Sequence, residues 1–225
     1  MATLDASDGR WPDGAMTVAC RDDDFVEWHR GCRRAALWAV DADRDDVRAA
    51  VASVRNLYRD LLLPRYERQP HITVAFRGLI PEPHCHPADA FTPVRLDGDL
   101  EALRSVRLAP FEVVVGGWGT FPMVPYLSVS GPELLRLQQA LVTDPRYTPH
   151  VTAGHYRIAT SIAGLYAIAR DLKLPPPVSF AVERLALMTY DTADIAGPLR
   201  VEGTLDLATG EWVRSAPPRP ETPVG

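Results

Sequence analysis

The feature that most constrains this chain is a four-residue pattern, proline-histidine-aliphatic-threonine, at residues 70–73 and again at residues 149–152. In both places it ends a longer pattern of an apolar run, an amphipathic segment and a second apolar run. Such self-similarity is typical of a duplicated supersecondary unit whose two copies share one core. We therefore expect two similar halves within a single domain.

The first unit is predicted from residue 34 onward. Residues 34–40 are a continuous apolar run typical of a buried strand, and Asp43 is a candidate N-cap for the following helix. Apolar residues then recur at spacings of four and three, which predicts an amphipathic helix that ends before Pro64. Its apolar stripe consists of Val47, Val51, Val54, Tyr58 and Leu61. Residues 70–77 form the strand that carries the first pattern.

The second unit repeats this order. Residues 111–115 and 126–130 are strand-like, Pro132 is suited to the first position of a helix, and residues 149–156 are again a strand. A third helix is expected over residues 160–172. Two late strands are expected near residues 178–190 and 199–207. Because strands and helices mix without strict alternation of parallel units, we predict the α+β class.

Composition excludes several classes of protein. The chain has 225 residues, is 46% hydrophobic and carries a formal net charge of −5, so nonspecific coating of DNA is not expected. The sequence contains no apolar run of the length that a membrane helix needs, and its first residues do not resemble a secretory signal. We expect a cytoplasmic monomer with an N-terminal extension at 1–33, one folded domain at 34–214 and a proline-rich tail at 215–225.

The cysteines do not form a recognisable framework. Cys20, Cys32 and Cys85 are odd in number and scattered, so we expect reduced thiols of minor structural importance. His84 and His86 flank Cys85 in a proline-rich segment, which is a weak candidate for metal binding and more typical of a surface loop. The prediction is no metal and no other cofactor.

The two repeated patterns carry the chemistry. Alternate side chains of a strand share a face, so His71 and Thr73 should point one way while Ile72 points to the core, and His150 and Thr152 should do the same in the second half. Imidazoles accept and donate protons near neutral pH, and hydroxyls can donate hydrogen bonds to phosphate oxygens. If the halves face each other, these four groups suit cleavage of a phosphodiester.

Other residues are candidates for binding the substrate. Tyr126 and Tyr156 are the aromatic residues that we expect to stack on a base. Four arginines precede the first pattern and could guide a phosphate, although a solvated surface is the simpler interpretation. They are Arg55, Arg59, Arg65 and Arg68.

The paired patterns resemble the 2H phosphoesterase superfamily, which includes bacterial 2′,5′ RNA ligase-like proteins and 2′,3′-cyclic nucleotide phosphodiesterases. The resemblance covers roughly residues 34–207. It implies a bilobal fold with pseudo-twofold symmetry, in which antiparallel sheets and their helices surround a central cleft. It also implies that His71 with Thr73, and His150 with Thr152, are the catalytic pairs.

One position departs from the family pattern. Ligase-like members often have an arginine soon after the second threonine, whereas here Arg157 is the first arginine after Thr152. Strand alternation places Tyr156 on the face of His150 and turns His155 and Arg157 away, unless a bulge at Gly154 changes their direction. Arg157 is therefore retained as a candidate ligand of the substrate.

The resemblance and the residues together favour a metal-independent phosphodiesterase. Its substrate would be a 2′,3′-cyclic phosphate or a 2′,5′-linked nucleotide at an RNA end. Three alternatives stay open at this point: a 2′,5′ RNA ligase, a module that binds a nucleotide or RNA end without turnover, and a metal hydrolase that uses His84 and His86. The residues do not indicate which histidine is the acid and which the base.

Overall fold

The computed structural model describes residues 11–22, 26–142, 144–170 and 173–216. These residues form an α+β fold in which all nine strands of the described part belong to one antiparallel sheet. The strands are β1 (Arg34–Asp41), β2 (His71–Leu79), β3 (Phe111–Thr120), β4 (Pro125–Ser130), β5 (His150–Thr152), β6 (Val178–Val182), β7 (Arg184–Asp191), β8 (Arg200–Asp206) and β9 (Trp212–Arg214). The helices are α1 (Val26–His29), α2 (Asp45–Leu57), α3 (Pro93–Ser105), α4 (Pro132–Leu141) and α5 (Ile162–Ala169).

The order of strands in the sheet reflects the duplication. It runs β6-β3-β4-β5-β2-β1-β7-β8-β9, so the two strands that carry the repeated pattern, β2 and β5, are neighbours at its centre. On one side of this pair lies β1, which α2 connects to β2, and on the other lies β4, which α4 connects to β5. The antiparallel pairing of β2 with β5 relates the two halves by an approximate twofold axis. The predicted α+β class is confirmed.

The late strands differ from the prediction. Residues 178–190 were expected as one strand, but they form β6 and β7, which lie on opposite sides of the central pair. Only Glu183 separates them in sequence, although five strands separate them in the sheet. A flat sheet with strands roughly 4.8 Å apart could not accommodate this connection, so the sheet must curve to bring β6 and β7 together.

Three further elements were not fully anticipated. Helix α3 was not predicted, although Thr92 caps it by accepting a hydrogen bond from the Arg95 amide and Pro93 begins it. Strand β9 was also missed. The predicted strand at 149–156 is shorter, since β5 contains three residues. The predicted third helix corresponds to α5, and the end of that prediction at residues 171–172 lies outside the described residues.

The N-cap prediction for α2 was wrong. Arg44 occupies the N-cap position and makes no side-chain capping bond, while Asp43 instead forms an ion pair with Arg48 inside the helix. Asp45 and Asp46 in the first turn complement the helix dipole. A carboxylate one residue before the cap can find a stronger partner in a nearby guanidinium than in a backbone amide.

A buried ion pair fixes the end of the first motif strand. Arg77 on β2 donates to both carboxylate oxygens of Asp99 on α3, at 2.7 and 2.6 Å, and Trp38 on β1 donates its indole N–H to the same carboxylate at 2.9 Å. All three residues are buried. Because both charges are desolvated, each depends on the other for compensation.

The cysteine prediction was wrong for two of the three residues. Cys32 and Cys85 form a disulfide with Cα atoms 5.3 Å apart, which joins the segment before β1 to the loop after β2. Their separation of 53 residues carries no local signal, and only the pairing of β1 with β2 brings them together. Cys20 is buried and is not part of this disulfide. Disulfides are rare in the cytoplasm, so this bond argues against the predicted location, which stays a prediction.

The described part of the N-terminal extension is bound to the domain. Thr17 and Val18 donate backbone hydrogen bonds to Thr160 and Pro122, and Cys20 donates one to Tyr156. Residues 217–225 of the predicted proline-rich tail lie outside the described residues. The predicted domain boundaries stay a prediction. None of the helices in the described ranges combines the length and apolar character required to cross a bilayer.

Candidate active site

The register of the central strands brings the two repeated patterns together. Ile72 on β2 pairs directly with Val151 on β5, and both side chains are completely buried in the main core. Because side chains alternate along a strand, His71 and Thr73 lie on the opposite face of β2, as His150 and Thr152 do on β5. The four side chains that the sequence singled out are therefore neighbours on one face of one strand pair.

Both imidazoles are held in the same way. The Nδ1–H of His71 donates to the carbonyl of Gln69 at 2.9 Å, and that of His150 donates to the carbonyl of Thr148 at 2.8 Å. A carbonyl can only accept, so each bond requires the proton of the neutral ring to be on Nδ1. Nε2 of each ring then carries the lone pair, which is the form that can accept a proton from a nucleophile.

Burial makes both imidazoles weakly basic. It lowers the pKa of His71 to about 4, with smaller contributions in the same direction from Arg68 and His150, against the hydrogen bond to Gln69. Burial also lowers the pKa of His150, against its hydrogen bond to Thr148. Both rings are thus neutral at pH 7 in the free protein. A bound anion would raise both values, because it stabilises the imidazolium form.

Two tyrosines that the sequence analysis missed connect the halves. Tyr66, from the segment before the first motif, donates its hydroxyl to the carbonyl of Thr152 at 3.4 Å. Tyr147, from the segment before the second motif, donates to the carbonyl of Thr73 at 3.0 Å. Each half therefore supplies a tyrosine that anchors the threonine of the other half. The only signal for them in the sequence is that each lies a few residues before a motif.

The threonine hydroxyls are available for a ligand. Thr73 and Thr152 are half-buried, and the anchoring tyrosines bond to their carbonyls rather than to their hydroxyls. Within the described ranges neither hydroxyl has a protein hydrogen-bond partner. Both can therefore donate to an oxygen of a bound molecule.

Tyr126 lies beside the second histidine. It is buried on β4, opposite Thr152, and its ring centroid is 5.5 Å from that of His150. Phe121 packs on both rings, 4.3 Å from Tyr126 and 4.8 Å from His150. Gly119 makes this packing possible, since a Cβ there would lie 2.5 Å from the tyrosine ring. Tyr126 thus forms the wall behind His150, and its contact with a base stays a prediction.

A bulge after β5 reverses the expected directions of the next side chains. The amide of Ala153 donates to Pro125, and the next inward residue, Tyr156, donates to Met123 two positions earlier. Between these two hydrogen bonds the chain after β5 advances by three residues, whereas the chain before β4 goes back by only two. The segment after β5 therefore contains one extra residue, which Gly154 accommodates with a φ of +148°. Tyr156 therefore points to the core, whereas His155 turns to the face of the motif.

Tyr156 consequently cannot serve as the predicted stacking residue. It is completely buried, and its hydroxyl is bonded to Thr120 at 2.8 Å. The alternation rule failed here because it assumed a regular strand through residue 156. Arg157 is exposed, and its guanidinium donates twice to the carbonyl of Asp60, at 3.0 and 2.8 Å. It lies in a cavity with Arg55 and Arg59, and its role as a ligand of the substrate stays a prediction.

Within the described residues, the histidines outside the motifs do not form a metal centre. Cys85 is in the disulfide, so the segment that contains His84 and His86 lacks its thiolate. Among the described residues there is no group of three or more histidine, cysteine, aspartate or glutamate side chains that could hold a metal ion. The alternative metal hydrolase has no support in these residues.

The chain matches one known protein family over more than half of its length. Residues 43–194 match the family described as the 2′-5′ RNA ligase superfamily. This chain belongs to that superfamily. The resemblance to the 2H phosphoesterases, drawn above from the two motifs, is thereby confirmed. Among curated proteins, a sequence search finds no match.

Solved structures with a related fold include the protein TT0787 of Thermus thermophilus. It is 21% identical, has a TM-score of 0.50, and the match covers 77% of this chain and 98% of that protein. E. coli LigT complexed with NADP+ matches at 16% identity and a TM-score of 0.45, over 75% of this chain and 94% of LigT. LigT complexed with 3′-AMP matches at 16% identity and a TM-score of 0.44, over 75% of this chain and 93% of LigT. The first of these supports the α+β fold assigned above.

Proposed function

We propose that this superfamily member is a metal-independent phosphodiesterase that hydrolyses a 2′,3′-cyclic phosphate or a 2′,5′-linked nucleotide at an RNA end. The observation that supports it is the pairing of Ile72 with Val151, which aligns two imidazoles and two hydroxyls on one face. Both imidazoles have Nε2 free of the backbone hydrogen bonds that hold Nδ1. Two such groups suffice for acid and base catalysis of phosphodiester cleavage.

The proposed reaction uses these groups as follows. One neutral imidazole accepts a proton at Nε2 from a water molecule whose oxygen attacks phosphorus. The bond from phosphorus to the 2′ or 3′ oxygen breaks, and the other ring, as imidazolium, donates its Nε2 proton to that oxygen. The product is a phosphomonoester and a free hydroxyl. Thr73 and Thr152 donate to the non-bridging oxygens, where negative charge is redistributed in the transition state.

The surroundings favour His71 as the base and His150 as the acid. Arg68 lowers the pKa of His71 but does not contribute to that of His150. A positive neighbour keeps His71 in the neutral form that accepts a proton. His150 lacks that neighbour and more readily carries the proton that the leaving oxygen requires once an anion is bound.

A panel of nucleoside 2′,3′-cyclic phosphates and 2′,5′-linked dinucleotides, assayed with EDTA, tests the proposal. We expect turnover that persists in chelator and that falls by at least ~100-fold in His71→Ala and in His150→Ala. His86→Ala is the matched control, since His86 is exposed and outside both motifs. Binding without turnover of any substrate would instead indicate a binding module. Joining of a cyclic phosphate end to a hydroxyl in place of hydrolysis would indicate a ligase.

A further inference from the structure

Arg68 has an unusual environment for a charged residue. It is half-buried, its Cζ lies 4.6 Å from the centroid of the Tyr190 ring, and its Nε donates to the carbonyl of Gly197 at 3.2 Å. Its Nη2 is buried and has no hydrogen-bond partner among the described residues. Within the same ranges Arg68 forms no ion pair. A buried N–H group without a hydrogen-bond partner is costly, and on a guanidinium it indicates that an anion completes this site.

The neighbouring arginines do not share this property. Arg65, three residues earlier, forms ion pairs with Glu67 and Asp194. Arg55 donates to the carbonyls of Ala153 and Pro64. Of the arginines that precede the first motif, Arg68 therefore combines an unpartnered buried nitrogen with proximity to a motif histidine, whose pKa it lowers.

His155 has a second buried nitrogen without a hydrogen-bond partner in the described ranges. The bulge at Gly154 turns it to the face of the motif, where it is 9% exposed and its ring centroid is 5.7 Å from that of Tyr66. Its Nδ1 is buried and has no hydrogen-bond partner in the described part of the chain. Burial, then Arg68 and Arg55, lower its pKa to about 3, so the ring is neutral in the free protein. An anion beside it would supply the missing partner.

Tyr66 is the link between His155 and the motifs. Its ring centroid lies 5.7 Å from that of His155, and its hydroxyl donates to the carbonyl of Thr152. Arg68 follows Tyr66 by two residues and precedes His71 by three, and its charge acts on both His71 and His155. A phosphate held by Arg68 and His155 would adjoin the scissile phosphate without coinciding with it.

We propose that Arg68 and His155 form a second phosphate subsite, and that the substrate is a nucleotide bearing another phosphate next to the scissile one. This proposal rests on the proposed function for its scissile phosphate. The guanidinium supplies charge and donors, and the imidazole supplies a donor that becomes an imidazolium when the phosphate is bound. A nucleoside 2′,3′-cyclic phosphate that also carries a 5′ phosphate, or a longer RNA end, has the required chemistry.

Calorimetric binding of two product analogues tests the subsite without requiring turnover. A nucleoside 3′,5′-bisphosphate is compared with the 3′-monophosphate of the same nucleoside. We expect the bisphosphate to bind at least ~10-fold more tightly, because a charge-assisted phosphate contact is worth about 1.5 kcal/mol or more. His155→Gln should remove this preference and leave the affinity for the monophosphate within about 2-fold. Arg68→Gln should weaken binding of the bisphosphate more than that of the monophosphate, although the charge of Arg68 also acts on His71.

Arg65→Gln is the matched control, since it removes the same charge from the same segment and should retain the preference. Arg68→Lys, with thermal unfolding of each variant, covers the case in which Arg68→Gln does not fold; it should keep part of the preference. Equal affinity of the wild type for both analogues would overturn the proposal. So would an equal loss for both analogues in the Arg68 variants, which would assign Arg68 to the scissile phosphate.

The outcome can be separated from that of the proposed function. Retained preference for the bisphosphate without hydrolysis of any cyclic substrate would keep the subsite and refute the phosphodiesterase. Hydrolysis of cyclic substrates without any preference for the second phosphate would refute the subsite and leave the phosphodiesterase supported.

Discussion

The two motif strands share their hydrogen bonds but differ in their surroundings. β2 has nine residues, ends at the buried Arg77–Asp99 pair, and presents a histidine that is 8% exposed beside Arg68. β5 has three residues and presents a half-buried histidine that packs on the rings of Phe121 and Tyr126. The duplication preserved the backbone positions that orient each imidazole. The divergence around them gives the two rings different electrostatic environments, which the proposed roles of acid and base would require.

Replacement of either motif histidine should have the largest effect. His71→Ala and His150→Ala should each lower kcat by about 10²- to 10⁴-fold, because each removes one proton-transfer group. Steady-state hydrolysis of a cyclic substrate measures this. If the environments differ as described, the acidic limb of the pH–rate profile should change in one variant and the basic limb in the other. A loss of only a few-fold in both variants would refute the assigned roles.

The buried ion pair beside β2 should be more sensitive to loss of a charge than an exposed ion pair in the same half. Asp99→Ala leaves Arg77 buried without a partner and should lower the free energy of unfolding by about 3–5 kcal/mol. Asp43→Ala removes an exposed pair with Arg48 and should cost less than about 1 kcal/mol. Urea denaturation of both variants provides the comparison. Similar losses would show that the buried pair does not stabilise β2.

The low pKa of His71 should appear as a pH dependence of stability. The unfolded residue titrates near its ordinary value of 6.5 and the folded one at about 4, so the unfolded state binds more protons between these values. The contribution of neutral His71 to the free energy of unfolding is therefore fully present above pH 6.5. It decreases by roughly 3 kcal/mol as the pH falls towards 4.

Denaturant titrations at pH 7 and pH 4.5 measure this effect. His71→Gln should reduce the difference between the two pH values, whereas His86→Gln, at an exposed position, should not. An unchanged difference in His71→Gln would show that His71 is not the group responsible. His155, with a pKa of about 3, acts in the same direction and accounts for part of what is left.

The crossed tyrosines should give the smallest effect. Tyr147→Phe and Tyr66→Phe each remove a hydroxyl that anchors the threonine of the opposite half, at a cost of about 0.5–1.5 kcal/mol in stability. The shorter bond of Tyr147 predicts the larger loss. If the anchors position the threonines, kcat should fall by more than KM rises. A purely structural role would lower stability and leave kcat unchanged.

Much of the fold could be read from the sequence because periodicity is local. The apolar runs predicted β1, β2 and β4, the spacing of Val47 and Val51 predicted α2, and Pro132 marked the start of α4. Local patterns failed where a neighbour decided the outcome. The separation of β6 from β7 depends on which strand each one pairs with, and the extra residue at Gly154 depends on the strand opposite.

The sequence by itself determined the superfamily and the two His-x-Thr motifs, because a repeated tetrad and strand alternation are encoded in consecutive residues. Only the tertiary structure decided which groups surround them. The tyrosine anchors, the Cys32–Cys85 bond and the packing of Tyr66 on His155 join residues far apart in the chain. Such contacts depend on strand register and on the curvature of the sheet, which no short segment specifies.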